Sequence, residues 1–273
     1  MQEGKVTLKT DITNQEPESF QRSFPNNVVE LPSKGLVYDE TNLLSKGSVE
    51  MKFMTAKEEN ILTTESYIKQ GIVIDKFLQS IIVSPKFNYD SLLVGDKDAL
   101  ILASRIYGYG EIYTIEVTTP SGKKQKVDIN LEEIPNKEID ESKFNKGENR
   151  FTYLFENKIG KYTLEFKLLT VGDQKRIDDR LKKYKSFGKE DQQITIRLEE
   201  MILSVNGNSD PNFIRLFLNN EFLARDSRAF RDYVAKLQPG PNMEIEIVDE
   251  ETGEPFRTSI TIRPDFFWPD SGL

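Results

Sequence analysis

Cysteine and histidine are both absent from the 273 residues. Without cysteine there is no disulfide, no thiolate nucleophile and no sulfur-ligated metal site. Without histidine the commonest general base and the commonest zinc ligand are missing. A magnesium or calcium site built from carboxylates alone stays open on composition. Positive charge is also in deficit: the net charge is −8, which argues against generic nucleic-acid binding, since that needs a basic footprint. No apolar run approaches the ~20 residues that span a bilayer. The opening MQEGKVTLKT lacks the apolar core of a signal peptide. The expected setting is a cytoplasm. Phosphate loops are missing too. GYG at 108–110 precedes a strand instead of opening a helix, and VGDQKR at 171–176 lacks the rest of a P-loop.

What is present is enough apolar material to fold: 37% hydrophobic residues against 30% charged. Residues 1–30 are polar, with a weakly alternating KVTLKT and two isolated aromatics, Phe20 and Phe24. They read as an extended N-terminal arm that packs on another molecule. From Leu31 the texture changes. LPSKGLVY (31–38) is turn chemistry, and SVEMKFM (48–54) alternates as a strand does. Thr55 with Glu58 forms a capping box that predicts a helix start. IVIDKFLQSII (72–82) and DKDALILASRIYGYG (96–110) predict helices. EIYTIEV (111–117), the turn TPSG and KKQKVDI (123–129) predict a β-hairpin. Residues 132–150, rich in charge and turn formers, read as a linker.

The order then recurs. YTLEFKLLT (162–170) predicts a strand, and VGDQKRIDDRLKKY (171–184) and ITIRLEEMILSV (194–205) predict helices. FIRLFLNN (213–220) and SRAFRDYVAKL (227–237) predict two more. MEIEIVD (243–249) and FRTSITI (256–262) predict a second hairpin. VEMKFMT (49–55) parallels LEFKLLT (164–170), Arg105 and Tyr107 parallel Arg231 and Tyr233, and Tyr113 to Val117 parallel Met243 to Ile247. The expected fold is therefore α+β: two similar units of strand, about three helices and a β-hairpin, by internal duplication. The units span 31–131 and 151–273. Two unrelated α+β domains with matching generic strands are the alternative.

No catalytic constellation stands out, and no catalytic, cofactor-binding or metal-ligating residue is assigned. The aspartates of DKD (96–98) suit a helix N-terminus, and the adjacent Asp178 and Asp179 point in different directions. The helix at 174–189 carries Lys175, Arg176, Arg180, Lys182, Lys183 and Lys185. It reads either as a solvated face with interleaved aspartates or as a basic patch for an acidic partner. The chain ends on ITIRPDFFWPDSGL, which holds its single tryptophan. If a strand continued through Pro264, Phe266 and Trp268 would share one face and Phe267 would point away. That segment reads as a core plug or as an anchor on a neighbour. Phe20, Phe24, Phe266, Phe267 and Trp268 are the interface candidates.

LPSKGLVY, SVEMKFMTAKEENIL (48–62), SLLVGDKDALILASRIYGYGEIYTIEV (91–117) and the terminal DFFWP (265–269) together resemble a known family. The chain is similar to the baseplate hub subunit and assembly proteins of T-even-like contractile-tailed phages, over about three quarters of its length. That family often carries a CPxCG cysteine pair at such a hairpin tip. Here the tips read TTPSGK and VDEETGE, so any zinc knuckle is lost. The resemblance implies a non-enzymatic structural role in the virion tail baseplate, assembled in the host cytoplasm. It implies several copies contacting other baseplate, hub or tail-tube proteins, without nucleic acid, cofactor or membrane span. The alternatives are an assembly chaperone that leaves the hub, and a hydrolase working through Asp and Glu alone.

Overall fold

The computed structural model describes residues 26–84, 86–186, 192–262 and 266–267. KVTLKT, Phe20, Phe24 and Trp268 lie outside the described residues. The first half opens with β1 (Asn26–Glu30) antiparallel to β2 (Ser48–Lys52), with Val29 opposite Val49. Residues 26–30, expected to belong to the arm, are thus a strand of the first unit. The turn after β1 needs glycine at Gly35, where φ is +77° and a Cβ would lie 2.5 Å from the Ser45 carbonyl oxygen. Four helices follow: α1 (Ala56–Leu62), α2 (Glu65–Gln70), α3 (Val73–Ile81) and α4 (Val94–Tyr109). The hairpin β3 (Ile112–Thr118) and β4 (Lys124–Asn130) closes this half.

The second half repeats the order. β5 (Phe151–Glu156) pairs antiparallel with β6 (Lys161–Phe166). Then come α5 (Val171–Ser186), α6 (Gln193–Met201), β7 (Ile202–Val205), α7 (Pro211–Asn220) and α8 (Ala224–Leu237). The hairpin β8 (Glu244–Val248) and β9 (Pro255–Ser259) ends it. The fold is α+β, as expected, but each half opens on a strand pair instead of one strand and holds four helices instead of about three. The stretch 194–205, expected as one helix, ends at Met201. Its last residues turn back to pair with β6 as the third strand of a β5-β6-β7 sheet. Continuous apolar sequence does not distinguish a buried helix from a buried strand.

The two halves match in detail. Lys52, Thr55 and Glu58 have the same spacing and geometry as Lys167, Thr170 and Asp173. In the first trio the Thr55 N–H and hydroxyl donate to Glu58 at 3.0 and 2.6 Å, and Lys52 lies 2.9 Å from its carboxylate. In the second the Thr170 N–H and hydroxyl both donate to Asp173 at 2.9 Å, and Lys167 sits 2.6 Å away. Each acid is buried at a helix start, where it meets unpaired backbone N–H groups and the positive end of the dipole. An isolated bridge from Met51 to Ile82 occupies the place that the Phe166–Ile202 pairing holds in the second half.

Later in the units the register differs from the one expected. Arg105 and Tyr107 do not correspond to Arg231 and Tyr233. α4 and α8 start after the N-caps Leu93 and Leu223, which aligns the buried aspartates Asp96 and Asp226 and the buried Leu100 and Phe230. The similar Arg-x-Tyr triplets misled because two short polar matches weigh less than a helix start.

The halves meet at an antiparallel bridge. The Val94 N–H donates to the Leu169 carbonyl at 3.1 Å, and the Val171 N–H to the Leu92 carbonyl at 2.8 Å. Both long helices, α4 and α5, leave from this joint, each with the sequence Val-Gly-Asp. One connected apolar core runs through both halves, from Val29 to Phe267. The stretch 132–150 is also fixed to its surroundings. The Lys137 N–H donates to the Gly240 carbonyl at 2.9 Å, the Asn242 N–H to the Pro135 carbonyl at 2.7 Å, and the Gly147 N–H to the Leu36 carbonyl at 2.7 Å.

Candidate interaction surface

The chain's aromatic end is seated in the opposite half from the one that precedes it. Phe266 and Phe267 are both buried. Phe266 packs edge-on to Tyr113 of β3 at 4.8 Å, and Phe267 edge-on to Phe77 of α3 at 5.0 Å. Arg105 of α4 holds them in place. Its guanidinium donates to the carbonyls of Phe266 (3.2 Å), Gly110 (2.9 Å) and Ile112 (3.2 Å), and it lies over the rings of Tyr109 and Tyr113. Burial lowers its pKa, and the two tyrosines oppose that shift. The expectation that Phe267 points away fails because residues 266–267 form a tight bend, and two-residue alternation holds only in extended strands.

Above this plug the two hairpins lie side by side. The Ser121 N–H donates to Asp249 at 3.2 Å, and Lys123 pairs with Glu251 at 2.7 Å. The Gln125 side chain donates to the Val248 carbonyl at 3.0 Å and accepts from the Glu250 N–H at 3.2 Å. Hydrogen bonds and an ion pair thus join the two tips. Asp249 is buried there. Burial alone would raise its pKa, but the N–H groups of Glu251 and Ser121 hold it below the usual range. The outer strands β3 and β9 flank a cleft of about 470 Å³, walled by Tyr113–Thr118 and 258–261.

Several of the charged groups singled out in the sequence have structural partners. Asp96 is buried and accepts from the Ser33 N–H (2.9 Å), the Ser33 hydroxyl (2.6 Å) and the Tyr38 hydroxyl (2.5 Å). Burial raises its pKa, and the Ser33 and Tyr38 bonds oppose it. Burial also pushes Asp98 up to about 6, against Lys97 and Lys137. On α5, Lys175 pairs with Asp90 at 2.6 Å, Arg176 with Glu200 at 2.8 Å and with Asp173, and Arg180 with Glu199. These three cations stitch α5 to its neighbours, while Lys182, Lys183 and Lys185 of the same helix are exposed. Among the described residues no group of three or more Asp and Glu is placed to hold a metal ion. No helix among them is long and apolar enough to cross a membrane.

Apolar side chains do reach solvent on edge elements. Val28 on β1, Leu154 on the edge strand β5, Ile159 in the turn after it and Leu216 on α7 are all more than half exposed. Of the sequence candidates, the structure brings together Phe266 and Phe267, and it does so inside the core. The hairpin pair and the apolar edges were missed as a surface. Their signal was the alternation of EIYTIEV and MEIEIVD, which predicts strands but not which strands become neighbours.

Two look-alike α+β units, strapped by a shared tail and offering strand edges and apolar side chains outward, define a protein suited to contacts with other proteins. A family model described as T4 bacteriophage base plate protein matches residues 29–268, and the chain belongs to that family. No curated protein and no solved structure matches the chain. The protein is a phage baseplate protein, and the family places it with other components of the tail baseplate.

Proposed function

We propose that the protein is a structural component of the hub region of the baseplate, present in several copies and acting through protein–protein contacts during assembly of a contractile tail. The family match over residues 29–268 carries this reading. The exposed Val28, Leu154 and Leu216 and the outward strand edges support it, since such features mark contact surfaces. The role needs no enzymatic step, and no residue is assigned one. Assembly takes place in the host cytoplasm before the particle is released. Mass spectrometry of purified particles tests the proposal. A fixed stoichiometry to known baseplate proteins is expected. Absence from mature particles, with presence in partly assembled baseplates, would replace the structural role with that of an assembly chaperone.

A further inference from the structure

The groove between α5, α6 and α8 lies where the second half repeats the site that the chain's aromatic end fills in the first. α3 and α6 are counterparts. Each has nine residues and ends at an isoleucine whose N–H donates to the carbonyl of a leucine four residues back, Ile82 to Leu78 and Ile202 to Leu198. Ile82 bridges to Met51 as Ile202 pairs with Phe166. Phe77, on which Phe267 packs, therefore corresponds to Arg197. In the register that aligns Asp96 with Asp226, Arg105 corresponds to Ala235. Arg197 and Ala235, the counterparts of two residues that seat Phe266 and Phe267, line one groove of about 460 Å³.

The groove joins apolar side chains to two cations. Ile177, Leu198, Met201 and Val234 line it from the core side and are buried. Ile194 of α6 also lines it and is 51% exposed, whereas its counterpart Ile74 is half-buried against the core. Guanidinium groups replace apolar side chains of the first half: Arg197 stands for Phe77 and Arg231 for Ile101. Among the described residues neither forms an ion pair, whereas Arg176, Arg180 and Arg215 each meet Glu199 or Glu200. The Arg231 Nε donates within its own helix, to the Ser227 carbonyl at 3.3 Å. Asp178 also lines the groove and accepts from Gln174 at 2.8 Å. Burial lowers the pKa of Arg197, and Asp178 opposes that shift. Two cations against one anion, beside apolar surface, suit a ligand that is both apolar and acidic.

We propose that this groove docks a short segment of another tail protein, with two successive large apolar side chains on the core side and a neighbouring Asp or Glu on Arg197 and Arg231. The first half supplies the precedent. Its seat takes two successive phenylalanines from a distant part of the chain, and a guanidinium holds their backbone. Phe266 and Phe267 are buried in that seat, so they are not free to fill the second one, in this molecule or in another copy. The occupant therefore comes from a different chain. The groove walls cover about two turns of each helix, roughly 10–12 Å, which is the length of three or four extended residues. Burial of the apolar pair supplies most of the affinity, and the carboxylate sets the choice of partner. The inference rests on the reading that the protein acts through contacts with other baseplate components.

The probe is the acetylated and amidated peptide PDFFWPD, copied from residues 264–270, which joins a Phe-Phe pair to carboxylates. Added in excess to the full chain, it should slow hydrogen exchange at the amides of α6 and α8 by about tenfold or more. Amides of α3 and β3, where the seat is already filled, serve as the control and should not change. The peptide PNFFWPN should bind the parent about tenfold more weakly, and so should PDFFWPD bind Arg197→Glu, as loss of a hydrogen bond between charged groups requires. The charge-swapped peptide PKFFWPK should prefer Arg197→Glu to the parent. Circular dichroism checks that this variant is folded, and Arg231→Glu supplies the same swap if it is not. Absence of binding up to about 1 mM peptide would overturn the proposal. So would protection of α3 in place of α6, or an affinity indifferent to the charge swap. Failure of the baseplate reading is separable: absence from particles would leave peptide binding in solution untouched.

Discussion

The two halves share one layout but complete their cores differently. The second half supplies its own aromatics. Tyr153, Phe155, Tyr162, Phe166, Phe217, Phe222 and Phe230 form a continuous chain of ring contacts within it, with Phe166 edge-on to Phe230 at 5.1 Å. The first half is mostly aliphatic, built on Leu62, Leu78, Ile81, Leu92 and Leu100 around Phe77. Among its described residues the Met51–Ile82 bridge stands where the second half has a third strand. Its remaining volume is filled by Phe266 and Phe267 from the far end of the chain. Two units of similar plan need not be equally self-sufficient: here one imports what the other carries, and the import ties the halves together.

The largest expected effect tests that import. Phe266→Ala removes a fully buried ring and should cost about 3–5 kcal/mol in denaturant unfolding. Exchange at α3, α4 and β3 should quicken before exchange at β6 and α8. If Phe230→Ala loosens the first half just as much, the asymmetry between the halves is false.

The matched trios give a second comparison. Asp173→Asn removes the carboxylate shared by Lys167 and Arg176, which keep Glu200, whereas Glu58→Gln removes the carboxylate that pairs with Lys52. Both lysines are partly solvated, so a loss of about 2–3 kcal/mol is expected for Asp173→Asn and less for Glu58→Gln. Asp173 is held below the usual carboxylate range because the bonds from Lys167 and Thr170 outweigh its burial. Its contribution is therefore present above about pH 4 and is lost as the pH falls further. An equal cost at both sites would mean the extra arginine adds nothing.

The joint offers a third. A Cβ on Gly95 would lie 1.7 Å from the Pro239 carbonyl oxygen, while one on Gly172 would lie 3.0 Å from that of Asp90. Gly95→Ala should cost roughly 1–3 kcal/mol or more through forced backbone movement. Gly172→Ala should be near neutral, since the helix gain of about 0.5–1 kcal/mol offsets a small adjustment. Thermal melts of both variants decide it, and similar midpoints would show that the joint yields freely on the Gly95 side.

The smallest effect is expected at Asp98. Its folded pKa of about 6 exceeds its unfolded value, so keeping it charged weakens the fold above pH 6. The weakening is relieved as the pH falls from 6 toward 4. Asp98→Asn should stabilise the protein at pH 7–8 by up to about 2 kcal/mol, with no difference from the parent near pH 4. A constant difference across that range would remove titration as the cause.

Local chemistry was legible in the sequence. The capping box at Thr55, the turn at Gly35, the hairpins at 111–129 and 243–262 and helix starts near 96, 171 and 213 all depend on a few neighbouring residues. So does the recurrence of the unit order, together with the family. What sequence could not fix depends on partners distant along the chain. β1 and β5 are short and carry exposed Val28 and Leu154, so their strand character comes from pairing with β2 and β6. Ile202–Val205 became a strand because β6 had an open edge beside it. Phe267 turned inward because Phe77 and the Arg105 clamp offered a site in the other half. The cleft between β3 and β9 exists only because the two hairpins come together. Short-range hydrogen bonding and steric limits are written in adjacent residues, whereas burial is decided by which apolar surfaces meet, and only the tertiary structure brings those together.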